Sequence, residues 1–156
     1  MDLRQVLFVS HARVSEYSPE VLDILRAGLR NNTRLGITGC LHVQDSSFFQ
    51  CVEGRHNDLT MLMSRIDHDP RNAKLSVLSD QKVTRRLFDG WHMGLASNHG
   101  LSLHDVMPDK RAPLHDVEPQ ALLDFLLCVA HLKSTEIPDT SEPAPPKQIL
   151  RVGSNG

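Results

Sequence analysis

Gln50 is the residue of this chain best equipped to read a ligand. It lies in Ser47-Phe48-Phe49-Gln50-Cys51-Val52-Glu53, a strand-like segment. Strand alternation puts Phe48, Gln50 and Val52 on one face and Phe49, Cys51 and Glu53 on the other. If the first face is covered by helices, Gln50 is an amide among apolar neighbours, and its donor and acceptor both need partners. Such a group can bond the edge of a heterocycle. The alternative is an edge-strand glutamine turned to water. The same rule places Val6, Phe8 and Ser10 together on an earlier strand.

Other polar residues could join it. Asn31 and Asn32 close the first helical segment, where two amides could bond a ligand carbonyl or ring nitrogen, or could simply cap the helix. Arg65 and Asp69, four apart near the end of a second helix, suit an intrahelical ion pair. Alternatively, Arg65 could meet a phosphate or ring carbonyl. Trp91 and Met93, two apart on one expected strand, would share a face and serve as core or as cofactor lining.

The elements that must position these residues follow from the hydrophobic pattern. Val6-Leu7-Phe8-Val9-Ser10 predicts a buried strand. Ser18 and Pro19 mark a helix start, and Val21, Leu22, Ile24, Leu25 and Leu29 carry helical spacing to Asn31-Asn32. Gly36 to Val43 and Ser47 to Glu53 predict two strands joined through Gln44-Asp45-Ser46. Asn57 to Asp67 predicts a second helix, and Leu75 to Val83 and Trp91 to Ala96 two more strands. The pattern is βαββαββ, which predicts a ferredoxin-like α+β sandwich with two helices on one sheet face. C-terminal helices are added to it: a short one over Leu101 to Met107 and a stronger, apolar one over Pro119 to Leu132. The expected organisation is a domain over 1–98, a helical extension over 99–133 and a polar, disordered tail over 134–156.

Composition narrows the function. A net charge of −2 and a pI of about 6.5 give no basic excess for nucleic acid. Aromatic residues are 4% of the chain, too few for a base-stacking sheet. No apolar run approaches the ~20 residues of a membrane span. The chain enters a strand directly after Met1-Asp2, so no signal peptide is expected. Cys40, Cys51 and Cys128 are odd in number and widely spaced, which suits apolar core thiols in a reducing cytoplasm and no zinc site. The scattered histidines read as solvated or capping groups. No Gly-rich phosphate loop or set of catalytic groups marks an enzyme.

The joint arrangement is more specific than any part. Asn31-Asn32-Thr33-Arg34-Leu35-Gly36-Ile37-Thr38-Gly39, then Phe48-Phe49-Gln50-Cys51-Val52-Glu53-Gly54, then Arg65 to Arg71, then Arg86 to Gly94 resemble the BLUF family, sensors of blue light using FAD, in order and spacing. The resemblance covers roughly residues 3 to 97. It implies an isoalloxazine ring between the two helices. Asn31 and Asn32 would hold its polar edge, Gln50 would bond near N5 and O4, and Arg65 and Asp69 would meet its other polar side or the chain beyond. Trp91 or Met93 would relay the switch. FAD is the implied cofactor, with FMN, riboflavin or an empty site as alternatives. Output would pass through a protein partner or homo-oligomer, with the Pro119 to Leu132 helix as candidate surface.

The resemblance also isolates one departure. Members of the family carry a photoactive tyrosine on the first strand, whose electron and proton drive a rearrangement of the glutamine. The matching residue here is Phe8, expected from the resemblance to sit in the flavin site as a packing group; it has the ring without the hydroxyl and cannot bond Gln50. Tyr17, the only tyrosine, falls beyond that strand. The expectation is a flavin-binding sensory domain with an impaired photocycle. A cofactor-free or redox-sensing interaction module is the alternative.

Overall fold

The computed structural model describes residues 2–15, 18–95 and 101–132. Tyr17 and the 134–156 tail lie outside the described residues. The elements run β1 (Leu3–Ala12), α1 (Pro19–Leu35), β2 (Thr38–Gln44), β3 (Ser47–Arg55), α2 (His56–His68), β4 (Asn72–Lys82), β5 (Gly94–Leu95) and α3 (Pro119–Leu132). The sheet order is β4-β1-β3-β2-β5; four strands are antiparallel, and β5 adds a short parallel pairing to β2. This is the expected ferredoxin-like α+β fold.

Local chemistry sets the element ends. Pro19 occupies the first turn of α1, where its missing N–H costs nothing. The helix does not stop at Asn31-Asn32 as their capping tendency suggested. It continues to Leu35 and ends at Gly36, which takes a left-handed φ of 67°. Glycine adopts that conformation without strain, so it wins over asparagine one turn earlier. Asp45 and Ser46 both have positive φ, 49° and 58°, the backbone of a two-residue type I′ hairpin between β2 and β3. The strand expected over Trp91 to Ala96 shrinks to Gly94–Leu95 among the described residues, and the helix expected over Leu101 to Met107 is a single 3-10 turn over Leu103–Val106.

Each sheet face has its own core. On one face α1 covers Leu41, Val43 and Phe48 with Val21, Leu25 and Leu29, and α2 covers Val6, Phe8, Ile37 and Val52 with Leu59 and Leu62. On the other, α3 lays Leu122, Phe125, Leu126 and Val129 against Leu7, Val9, Cys40, Phe49 and Cys51. Burying each such side chain contributes roughly 1.5–3 kcal/mol, so α3 belongs to the core. Its apolar stripe is thus spent within the chain rather than offered to a partner. Two assignments by residue type change with it. Cys128 is exposed, unlike Cys40 and Cys51. His42 is buried, its ring edge-on to Phe125 at 4.8 Å between centroids. No helix among the described residues is long and apolar enough to cross a membrane.

Candidate functional site

A cleft of about 140 Å³ opens between α1 and α2 above the sheet. Leu41, Phe48 and Gln50 form its floor, Ile24, Gly28 and Asn31 one wall, and Leu62, Arg65 and Ile66 the other; Asp69, Arg71 and Asn72 complete the rim. The floor is apolar except for Gln50. Gln50 is 8% exposed, and among the described residues its side-chain amide makes no hydrogen bond. What it exposes faces the cleft, so its donor and acceptor are free for a ligand that lies on the floor.

The expected face assignment holds on the floor. Phe8 lies opposite Gln50 in the β1–β3 pairing, and Leu41 flanks Gln50 on the other side. Phe8 is 0% exposed, packed with Val6, Val52 and the α2 residues, and it is not part of the cleft lining. Its ring is taken up by the core under α2, so the expected place in the ligand site is not found in the lining.

Asn31 and Asn32 part company. Asn31 lines the cleft, its Oδ1 accepting a long bond of 3.4 Å from Arg34 Nη2. Asn32 is fully buried and donates through Nδ2 to the His92 carbonyl at 2.8 Å, while its Oδ1 has no hydrogen-bond partner. Asn32 therefore ties α1 to the segment before β5. His92 Nδ1 donates to the Ile37 carbonyl at 2.9 Å, and Gly39 N–H to the Trp91 carbonyl at 2.7 Å, fixing the same segment.

Arg65 and Asp69 do not pair. Asp69 follows the end of α2, where the backbone turns extended and aims its carboxylate at Arg71 instead, at 2.7 Å. The bidentate bond to the Arg71 guanidinium holds the Asp69 carboxyl below its ordinary value, and raises that of Arg71 in return. Arg65 makes no hydrogen bond or ion pair among the described residues and lines the cleft as an uncompensated cation. Trp91 and Met93 do not share a face either. Strand geometry begins only at Gly94, so alternation does not apply to them. Met93 sits over Gly28 in the α1 cluster and lines the cleft, whereas Trp91 packs against the α3 cluster across the sheet.

Several contributors were not singled out from sequence. Gly28, Arg71 and Asn72 join the cleft through tertiary packing, which no local pattern reveals. Glu53 is fully buried on the far face. Its carboxylate accepts from Gln5 Nε2, Thr38 Oγ1, and the backbone N–H groups of Leu87 (2.7 Å) and Phe88 (2.9 Å). It thereby anchors the loop from β4 toward β5. In the Gly36-Ile37-Thr38-Gly39 block, Thr38 bonds Glu53, and a Cβ at Gly39 would strike the Cys51 carbonyl. These motif residues build the frame of the site. Burial pushes the Cys40 thiol up to about 12 and Cys51 well above its usual range, so neither is a nucleophile near neutral pH. Among the described residues no group of three or more His, Cys, Asp or Glu could hold a metal.

The residues fit a flat, amphipathic ring. The floor is apolar apart from Gln50, and polar groups stand around it: Asn31, Asn72 and Arg65, the last without an ion pair among the described residues. Comparison with known proteins agrees. The photoactivated adenylate cyclase subunit beta of Euglena gracilis is 30% identical over 108 residues, which is 68% of this chain and 13% of that protein. The chain thus spans a small part of the curated relatives it matches. The dark-state structure of BlrB, a BLUF protein, superposes with a TM-score of 0.69 at 26% identity, covering 84% of this chain and 96% of that one. The photo-activated state of BlsA superposes with a TM-score of 0.72 at 22% identity, over 86% and 99% of the two chains, a likeness of fold. The family model for BLUF, sensors of blue-light using FAD, matches residues 3–94, and the chain belongs to that family of flavin-binding blue-light sensors.

Proposed function

We propose that the α1–α2 cleft binds FAD through its isoalloxazine ring, and that Phe8 suppresses the family's ordinary photocycle. Asn31, Gln50, Arg65 and Asp69, all in the lining, are the groups assigned to the flavin; Asn32, outside the lining, keeps a buried Oδ1 without a protein partner. The observation that carries the reading is Gln50, an amide without a protein partner that opens on the cleft from an apolar floor. When bound, the flavin supplies absorption of blue light and an excited state that takes up an electron.

The remaining chemistry belongs to this chain. Phe8 has no proton to release and no acceptor to offer, so Gln50 receives no new partner from β1 on illumination. Trp91 can lose an electron but lies across the sheet, and its indole N–H is a poor immediate proton source. Gln50 therefore keeps its dark arrangement, and Met93, seated over Gly28, keeps its place.

The domain acts as a sensor and not as an enzyme, in a cytoplasmic setting. It signals through a protein partner or a second copy. A partner approaching α3 meets its outer side, with Gln120, Asp124 and Cys128, because the apolar side is spent on the sheet.

The visible spectrum tests the claim. The full chain, reconstituted with excess FAD and freed of unbound cofactor, should retain the blue flavin band. A colourless protein ends the flavin reading. Blue illumination should then leave that band unshifted; a reversible red shift ends the claim that Phe8 blocks switching.

A further inference from the structure

We propose that Asn72 is a ligand-binding residue of this cleft, oriented by Ser10 so that its side-chain NH2 donates to an acceptor on the bound ring. The proposal rests on the flavin reading and extends it to a residue and a direction of bonding.

Asn72 opens β4 directly after the Asp69-Pro70-Arg71 turn, with its backbone N–H on the Asp69 carbonyl at 3.0 Å and its Cα opposite Ala12 of β1. That turn brings its side chain into the cleft lining. Ser10 is fully buried on the same face of β1 as Phe8. Its hydroxyl donates to Asn72 Oδ1 at 3.1 Å. Among the described residues Ser10 Oγ has no other hydrogen-bond partner, so its proton goes to the asparagine carbonyl. An amide has one carbonyl and one NH2. With the carbonyl engaged by a buried hydroxyl, the NH2 is the end left for the ligand, and it has no partner among the described residues.

The direction matters for recognition. Asn31, on the opposite wall, also has its Oδ1 engaged, by Arg34. The cleft thus offers donors from both sides, Asn31 and Asn72, with Gln50 between them able to donate or accept. That pattern selects a planar ring bearing acceptors, carbonyl oxygens or ring nitrogens, at both polar edges. Ser10 is the positioning residue: it touches no ligand and acts by setting the Asn72 amide.

Riboflavin, which carries the ring and no phosphate, is the probe. Its affinity is measured by fluorescence quenching for the full chain, Asn72→Asp and Ser10→Ala, and the ring carbonyl stretch by infrared spectroscopy. Asn72→Asp keeps the shape and the acceptor for Ser10 but loses the donor. It should bind about tenfold more weakly at neutral pH, the worth of one hydrogen bond. Affinity should recover toward about pH 4, where the new carboxyl gains a proton it can donate. Ser10→Ala should weaken binding by a smaller factor and shift the carbonyl stretch, since the amide is then free to turn. Wild-type affinity and a flat pH profile in Asn72→Asp overturn the assignment while leaving the flavin reading intact. If that variant does not fold, an unchanged carbonyl stretch in Ser10→Ala overturns it instead. Failure of the wild-type chain to bind riboflavin or FAD overturns both.

Discussion

Phe8 and Gln50 stand opposite each other in the β1–β3 ladder, on the face covered by the helices, and no hydrogen bond joins their side chains. Residues paired across antiparallel strands have Cβ atoms roughly 4.5–5.5 Å apart. A hydroxyl at the tip of the Phe8 ring would therefore reach the neighbourhood of Gln50. Phe8→Tyr should retain flavin and gain a reversible red shift of the blue band under illumination, read by light-minus-dark absorption. A silent variant that binds flavin would place the defect elsewhere in the site.

Gln50→Leu separates binding from stability. The amide has no protein partner, so its removal takes no described hydrogen bond from the fold. In the cofactor-free chain the urea midpoint should hold or rise. FAD affinity should fall by about tenfold or more, because the ring loses a buried donor–acceptor. Loss of stability without loss of affinity would assign Gln50 a structural role.

Glu53 should behave in the opposite way. Its buried carboxylate satisfies Thr38, Gln5 and the Leu87 and Phe88 N–H groups. Glu53→Ala leaves those donors unpaired and should cost on the order of 3 kcal/mol in chemical denaturation. Amide exchange should rise first at Leu87 and Phe88, because these N–H groups bond nothing else the structure records. Uniform exchange across the sheet would contradict that local anchoring.

Acid should undo the Asp69–Arg71 pair. The Asp69 carboxyl, hydrogen-bonded by Arg71, titrates below its ordinary value of 3.8 in the folded chain. A depressed folded value means the stabilisation is complete above the unfolded value and is lost as pH falls through the folded one. The stability difference between wild type and Asp69→Asn should be constant from neutral pH to about pH 5 and should shrink below about pH 4. Both groups are partly exposed, so the difference should be no more than about 1 kcal/mol. A difference that grows toward acid would reverse the sign of the linkage.

Much of this protein is determined by its local sequence. Short apolar strand-like runs such as Val6 to Ser10 and Ser47 to Glu53, and the helical spacing of Val21, Leu25 and Leu29, mark their segments as strand and helix before any tertiary contact is considered. They also group Phe8 with Val6 and Ser10, and Gln50 with Phe48 and Val52, on one face of their strands; that this face is the one the helices cover came from the packing. The identity of residue 8, and with it the missing hydroxyl, needs no structure at all. What else only the tertiary structure decided lies where that periodicity ends. Trp91 and Met93 went to opposite sides of the sheet because their segment is held by Asn32, Ile37 and Gly39 rather than by a ladder. Asp69 chose Arg71 over Arg65 because the backbone turns extended after α2. Asn31 and Asn32, adjacent in sequence, diverged because neighbouring helical positions point about 100° apart, one into the cleft and one into the core. Contacts made between elements depend on how those elements pack, and that information is spread over the whole chain instead of written in any one window of it.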